Sequence, residues 1–201
     1  MVKDGFYFST PLLFAGVILI YLDWMIPGSL LIFLGCFVIF FFRDPERSSP
    51  RDPGLILSPA DGKIVSIVNQ EEGTRVSIFL SVFNVHVVRS PISGQITGSE
   101  YRKGKFLLAF DERASLENEQ QVFTVEGEQK VTFSLIAGLV ARRIIPWRNR
   151  GDQISRGDRI ALIRFGSRVD ILIPAEFDVR VKNSDRVRAG VSVLASLKEL
   201  K

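Results

Sequence analysis

The 201-residue chain contains a single cysteine and a single histidine. With Cys36 alone, neither an internal disulfide nor a cysteine-rich metal site can form. Its place inside an apolar run makes Cys36 a small hydrophobe, and the redox compartment stays open. No aromatic-rich basic stripe and no helix-turn-helix pattern interrupts the chain, so nucleic acid is a poor partner for its positive charge. The formal charge of +4 and pI near 9.4 fit attraction to an anionic membrane surface instead. No small-x-small cleavage site precedes Arg43 and the start Val2-Lys3-Asp4 is barely basic, which argues against a cleaved signal peptide.

What is present first is apolar sequence. Pro11 to Leu22 and Ile26 to Phe42 carry no charge, with Asp23 between them. The second run approaches the ~17–20 residues that cross a bilayer core, so residues 1–42 are expected to form a helical membrane hairpin. Lys3 lies before it and Arg43, Arg47 and Arg51 after it, which predicts both ends in the cytoplasm and Asp23 outside. A hairpin that lies in the membrane rather than spanning it is the alternative.

Residues 43–54, charged and proline-containing, read as a linker. The remaining 55–201 alternate short strand patterns with Gly, Asp, Asn and Pro. Strands are expected at Lys63–Val68, Arg75–Leu80, His86–Arg89, Gln121–Val125, Val131–Ile136, Arg159–Phe165, Val169–Ile173, Asp178–Val181 and Ser192–Leu197, with Lys103–Asn118 less regular. Many short strands without alternating helices predict a mainly β domain of barrel or sandwich type. Gly151–Ile160 and Asn183–Ser192 read as degenerate copies of one turn-and-strand unit. Such a unit is similar to biotinyl and lipoyl carrier domains, which gives a rival reading: a membrane-tethered carrier or binding module without catalysis. Neither Lys63 nor Lys182 has the hairpin-tip setting that a carrier lysine needs.

The candidate chemistry lies at Gly166-Ser167, between two strand-forming runs. A serine hydroxyl after glycine can attack the glycine carbonyl, because glycine leaves the approach open and tolerates unusual backbone angles. An isolated Gly-Ser is more often a bulge or turn. Here it has company: Phe42-Arg43-Asp44-Pro45-Glu46-Arg47, Ser58-Pro59-Ala60-Asp61-Gly62, Phe83-Asn84-Val85-His86 continuing to Gly94, and Arg164-Phe165-Gly166-Ser167. Gly104-Lys105-Phe106, Ala114 to Glu119 and Gly138 to Arg143 follow in the same order. Together these segments resemble the phosphatidylserine decarboxylase family, in its short, single-histidine branch, over most of the chain.

The resemblance implies a proenzyme that cuts itself between Gly166 and Ser167. Ser167 would attack the Gly166 carbonyl, and β-elimination and loss of ammonia would leave a covalent pyruvoyl group at the new N-terminus, with no metal required. That ketone would form a Schiff base with the amine of phosphatidylserine and accept the electrons released with carbon dioxide. The two fragments would stay together. His86 falls in the family's active-site segment and is expected to move a proton in self-cleavage or after decarboxylation. Asp61 is its expected orienting partner, although a lone histidine among Val85, Val87 and Val88 is more often a packed residue. Longer members carry a second histidine where this chain has Arg89, which cannot act as a base, and the usual Leu-Gly-Ser-Thr is here Phe165-Gly166-Ser167-Arg168. Arg142, Arg143 and Trp147 are the expected substrate-binding residues, an aromatic anchor with arginines near phosphate. Asn118 and Glu119 read equally well as site residues or as an acidic surface turn. The implied location is the inner membrane with the β domain in the cytoplasm; the assembly state stays open, a homo-oligomer among the alternatives.

Overall fold

The computed structural model describes residues 2–105, 117–138, 143–164 and 167–198. They form two compact units divided between Glu46 and Arg47. In the first, α1 (Lys3–Tyr21) and α2 (Met25–Phe41) make a hairpin whose turn holds Asp23 at φ +63°. Small residues set how closely the helices pack: a Cβ added at Gly28 would stand 2.8 Å from the Gly16 carbonyl oxygen, and one at Gly35 2.6 Å from Leu13 Cδ2. Phe14, Tyr21, Trp24, Ile26 and Phe33 face outward, the reverse of a water-soluble helix pair. α1 starts well before the apolar run and takes in Pro11. It is long and apolar enough to cross a membrane, whereas α2 has 17 residues, or about 25 Å at the helical rise per residue.

The second unit is β-rich, as expected. Its described strands are β1 (Leu55–Leu57), β2 (Gly62–Gln70), β3 (Gly73–Leu80), β4 (Val87–Arg89), β5 (Gly94–Arg102), β6 (Gln120–Glu126), β7 (Lys130–Ala137), β8 (Arg143–Pro146), β9 (Gln153–Ile154), β10 (Arg159–Arg164), β11 (Ser167–Pro174), β12 (Phe177–Val179), β13 (Arg186–Val187) and β14 (Val193–Leu197). A curled eight-stranded sheet runs β13-β2-β3-β11-β7-β6-β5-β9, beside two three-stranded sheets, β1-β14-β12 and β4-β10-β8. Alternation along β11 sends Val169, Ile171 and Ile173 into the core with Val76, Ile78 and Leu80, all fully buried. Phe123 and Phe133 stack across β6 and β7 with ring centroids 5.6 Å apart.

These sheets have an internal order. Read from the β11–β7 pair outward, the large sheet repeats, β3 matching β6, β2 matching β5 and β13 matching β9; the small sheets match as β1 with β4, β14 with β10 and β12 with β8. Hydrogen bonds repeat too. Ile64 N donates to Asp185 O as Ile96 N does to Asp152 O, and Gly190 N donates to Ser58 O as Gly157 N does to Ser90 O. The Ser58 and Ser90 hydroxyls each donate to the carbonyl two residues on. The copies share Ser-Pro-x-x-Gly-x-Ile at 58–64 and 90–96. The similarity of Gly151–Ile160 to Asn183–Ser192 is thus one layer of a duplicated seven-strand unit. The second copy, β4 to β10, is inserted between β3 and β11 of the first. Where β6 and β7 close in a short turn, β3 and β11 are held apart in sequence by the whole insertion.

Residues 43–54 carry no helix or strand, yet they are not a bare tether. From Arg47 onward they belong to the second unit, where Arg47 donates to the Ala189 carbonyl and Ser49 Oγ to that of Gly190, both at 2.7 Å.

Candidate functional site

Two connections join the copies: 81–86, leaving β3, and 165–166, returning to β11. β11 is hydrogen-bonded to β3 in register from Ser167↔Leu80 to Pro174↔Gly73, so Ser167 starts its strand beside the residue from which the 81–86 connection leaves β3. Gly166 and Phe165 lie outside the described residues; Ser167 is the first residue of β11. It pairs with Leu80 on one side and Ala137 on the other. Its side chain is fully buried, and among the described residues its Oγ makes no hydrogen bond. Burying an unpartnered hydroxyl costs about 1–3 kcal/mol, so this position is held against stability. A packing role would be filled better by alanine.

The 81–86 connection is pinned by its own polar groups. Asn84 Oδ1 accepts from the Ser81 amide at 2.9 Å and the Ser81 hydroxyl at 2.7 Å. The Asn84 carbonyl in turn lies 3.0 Å from Nδ1 of the fully buried His86. A carbonyl only accepts, so Nδ1 donates this bond, and in a neutral ring that leaves the lone pair on Nε2. The His86 carbonyl accepts from Ile163 N at 3.1 Å, on β10 shortly before the return to Ser167. The connection that carries the histidine is thus tied to β10, and Leu80, the residue before that connection, pairs with Ser167 at the head of β11.

Asp61 occupies a different setting from the one expected of a histidine partner. Its carboxylate takes two hydrogen bonds from Arg47, at 2.5 and 2.9 Å, and a third from the Ala189 amide at 2.8 Å. The ring of His86 is oriented through Nδ1 by the Asn84 backbone. A backbone carbonyl carries no side-chain identity, and for that reason sequence reasoning missed it.

Arg168 also lies differently from its sequence neighbourhood. Adjacent strand residues point to opposite faces, so the Arg168 side chain leaves Ser167 behind. It is buried, with Nε on Asp170 Oδ1 at 2.6 Å and an η-nitrogen on Ser77 Oγ at 2.7 Å. Arg89 is buried and donates to the Gly157 carbonyl at 3.0 Å, a tie within the second copy. Asn118, which sequence left open, is buried with Nδ2 on the carbonyl of Ala137, the register partner of Ser167. Glu119 is buried beside it, its carbonyl accepting from Ala137 N.

Of the three substrate-binding candidates, Arg142 lies outside the described residues. Arg143 is exposed at the start of β8, opposite Arg164. Trp147 follows β8, half-buried, its amide donating to Ile160 O. Asp61 and Asn84, by contrast, share the wall of a cleft of about 720 Å³ with Lys63, Phe83, Arg186 and Arg188. Among the described residues no group of His, Cys, Asp and Glu has a metal-binding arrangement.

The phosphatidylserine decarboxylase family model matches residues 34–195 of the chain. A phosphatidylserine decarboxylase proenzyme of Symbiobacterium thermophilum is 43% identical, with 97% of this chain and 94% of that protein covered. Proteins of the same name from Solibacter usitatus and Chlorobium limicola are each 42% identical, covering 97% and 85% of this chain and 96% and 85% of their own lengths. The chain belongs to the phosphatidylserine decarboxylase family.

Proposed function

We propose that the protein decarboxylates phosphatidylserine to phosphatidylethanolamine, after cutting itself between Gly166 and Ser167. The observation that carries this reading is the buried Ser167 hydroxyl, without a hydrogen-bond partner among the described residues, at the head of a central strand beside the start of the connection that bears His86. His86 Nε2 takes the proton from Ser167 Oγ as that oxygen attacks the Gly166 carbonyl, and the amide becomes an ester. Loss of the Ser167 α-proton then expels the Gly166 carboxylate and leaves a dehydroalanine, which takes up water and releases ammonia. Residues 1–166 end in a carboxylate, and the fragment from 167 begins with a pyruvoyl group.

The setting of Ser167 suits such a group: a dry, fully buried strand start with no competing hydrogen bond to its side chain. The pyruvoyl ketone supplies the electron sink that an amine substrate needs to lose carbon dioxide. His86 holds the proton returned to the substrate α-carbon. Asp61 acts at one remove, as a positioning residue that locks Arg47 and the Ala189 turn against the start of β2. Arg143 and Trp147, on the edge of β10 away from β4, meet lipid phosphates at the bilayer surface. The apolar hairpin holds the enzyme in the membrane, with the β domain on the cytoplasmic side.

The carrier reading finds little support, because Lys63 lies within β2 rather than at a hairpin tip. Intact mass spectrometry separates the two. The reading proposed here expects residues 1–166 plus a 167–201 fragment lighter than its sequence by one ammonia, a single chain and no carbon dioxide release for Ser167→Ala, and slowed cutting for His86→Ala. An uncut wild-type chain would overturn it.

A further inference from the structure

The cleft beside the His86 connection carries three cations that the fold does not need. Lys63 on β2 and Arg186 on β13 are direct cross-strand partners, and Arg188 stands two residues on from Arg186, with the buried Val187 between. All three are exposed, line the same cleft, and take part in no ion pair among the described residues. Like charges set directly opposite one another destabilise a sheet.

The duplicated copy supplies an internal control. The same β-pair recurs as Gln95 on β5 opposite Gln153 on β9, followed by Ser155 at the position of Arg188. There the architecture is built with neutral residues. The charge therefore belongs to one copy only, the one whose cleft is also walled by Ser81, Phe83 and Asn84 of the His86 connection. Phe83 is 66% exposed at its mouth. Cations clustered beside a carboxylate, Asp61, that is already paired with Arg47, an adjacent exposed aromatic ring and the backbone that orients the histidine are the parts of a site for an amphiphilic phosphate.

We propose that this cleft binds the phosphodiester of the lipid substrate, with Lys63, Arg186 and Arg188 around the phosphate and Phe83 against the glycerol and first acyl carbons. The cleft adjoins the strand end that carries Ser167, since Phe79 in its wall precedes Leu80, the register partner of Ser167. This assignment rests on the functional reading above and adds to it the residues that select a phospholipid over free serine.

The test replaces the three cations by the residues of the other copy, Lys63→Gln, Arg186→Gln and Arg188→Ser, which that copy folds with. Short-chain, soluble phosphatidylserine is titrated calorimetrically into the full chain carrying Ser167→Ala, so that binding is read without turnover. The triple substitution is expected to weaken this binding about tenfold or more, from the loss of charge-assisted hydrogen bonds. On the Ser167 background it raises KM for phosphatidylserine in neutral-detergent micelles by a similar factor, with the extent of self-cutting at the wild-type level. Unchanged binding would overturn the proposal, as would binding of inorganic phosphate as tight as that of the lipid, which would mark a free-anion site. An equal loss of adsorption to phosphatidylglycerol vesicles with KM unchanged would overturn it too, in favour of surface attraction alone. If wild type neither cuts itself nor releases carbon dioxide, the functional reading falls, while the calorimetric result still judges the cleft.

Discussion

At the scale of single residues, the buried ion pair beside Ser167 is the most exacting feature. The side chains of Arg168 and Asp170 are 2% and 9% exposed, and such a pair is worth little net but is costly to break from one side. Asp170→Ala leaves a guanidinium in the sheet with Ser77 as its remaining partner and is expected to cost about 3–5 kcal/mol. The double change Arg168→Met with Asp170→Leu should cost much less. Urea midpoints of the chain in detergent check the order. Ser167 and His86 were legible in the sequence, since a Gly-Ser pair and a sole histidine have chemistry of their own. The Asn84 carbonyl and the Ile163 amide were not, because any residue could provide them. Nor was the clustering of Lys63 with Arg186, which depends on strand register.

At the scale of elements, the joint between the two copies depends on a pair of glycines. Gly157 and Gly190 occupy matching places at φ +87° and +69°, a region that costs other residues about 1–2 kcal/mol. A methyl group on Gly190 would approach Arg89 Cδ at 3.1 Å, whereas one on Gly157 would collide with Ser49 Oγ. Gly190→Ala should therefore lower stability by about the backbone penalty, and Gly157→Ala by more, since Ser49 must also leave the Gly190 carbonyl. Thermal melts of the two variants in detergent decide the ranking. Strands with strong apolar alternation, such as β3, β7 and β11, were visible in the sequence. The nine-residue β5 was not: Gly94, Gly98, Ser99 and Glu100 give it no apolar face, and it is held by β6 and β9. The two-residue β9 and β13 are too short to show a period at all.

At the scale of the whole molecule, the proposed cut before Ser167 would not free the C-terminal piece. β11 remains bonded to β3 over eight register pairs and to β7 over six, and β14 stays between β1 and β12. The 167–201 fragment should co-purify with 1–166 through detergent and high salt and separate only in denaturant, as gel filtration with and without urea would show. Elution of the small fragment alone under native conditions would contradict this architecture.

The insertion of one copy inside the other has a consequence for timing. Ser167 meets the 81–86 connection only when β11, arriving late from the chain's end, has slotted between β3 and β7, strands contributed by two different copies. An incompletely assembled molecule has no register to bring the serine and the histidine together, so on the proposed reading self-cutting would wait for assembly. Maturation by that route would double as an inspection: a molecule that acquired its reactive end would first have demonstrated that both copies are built and joined.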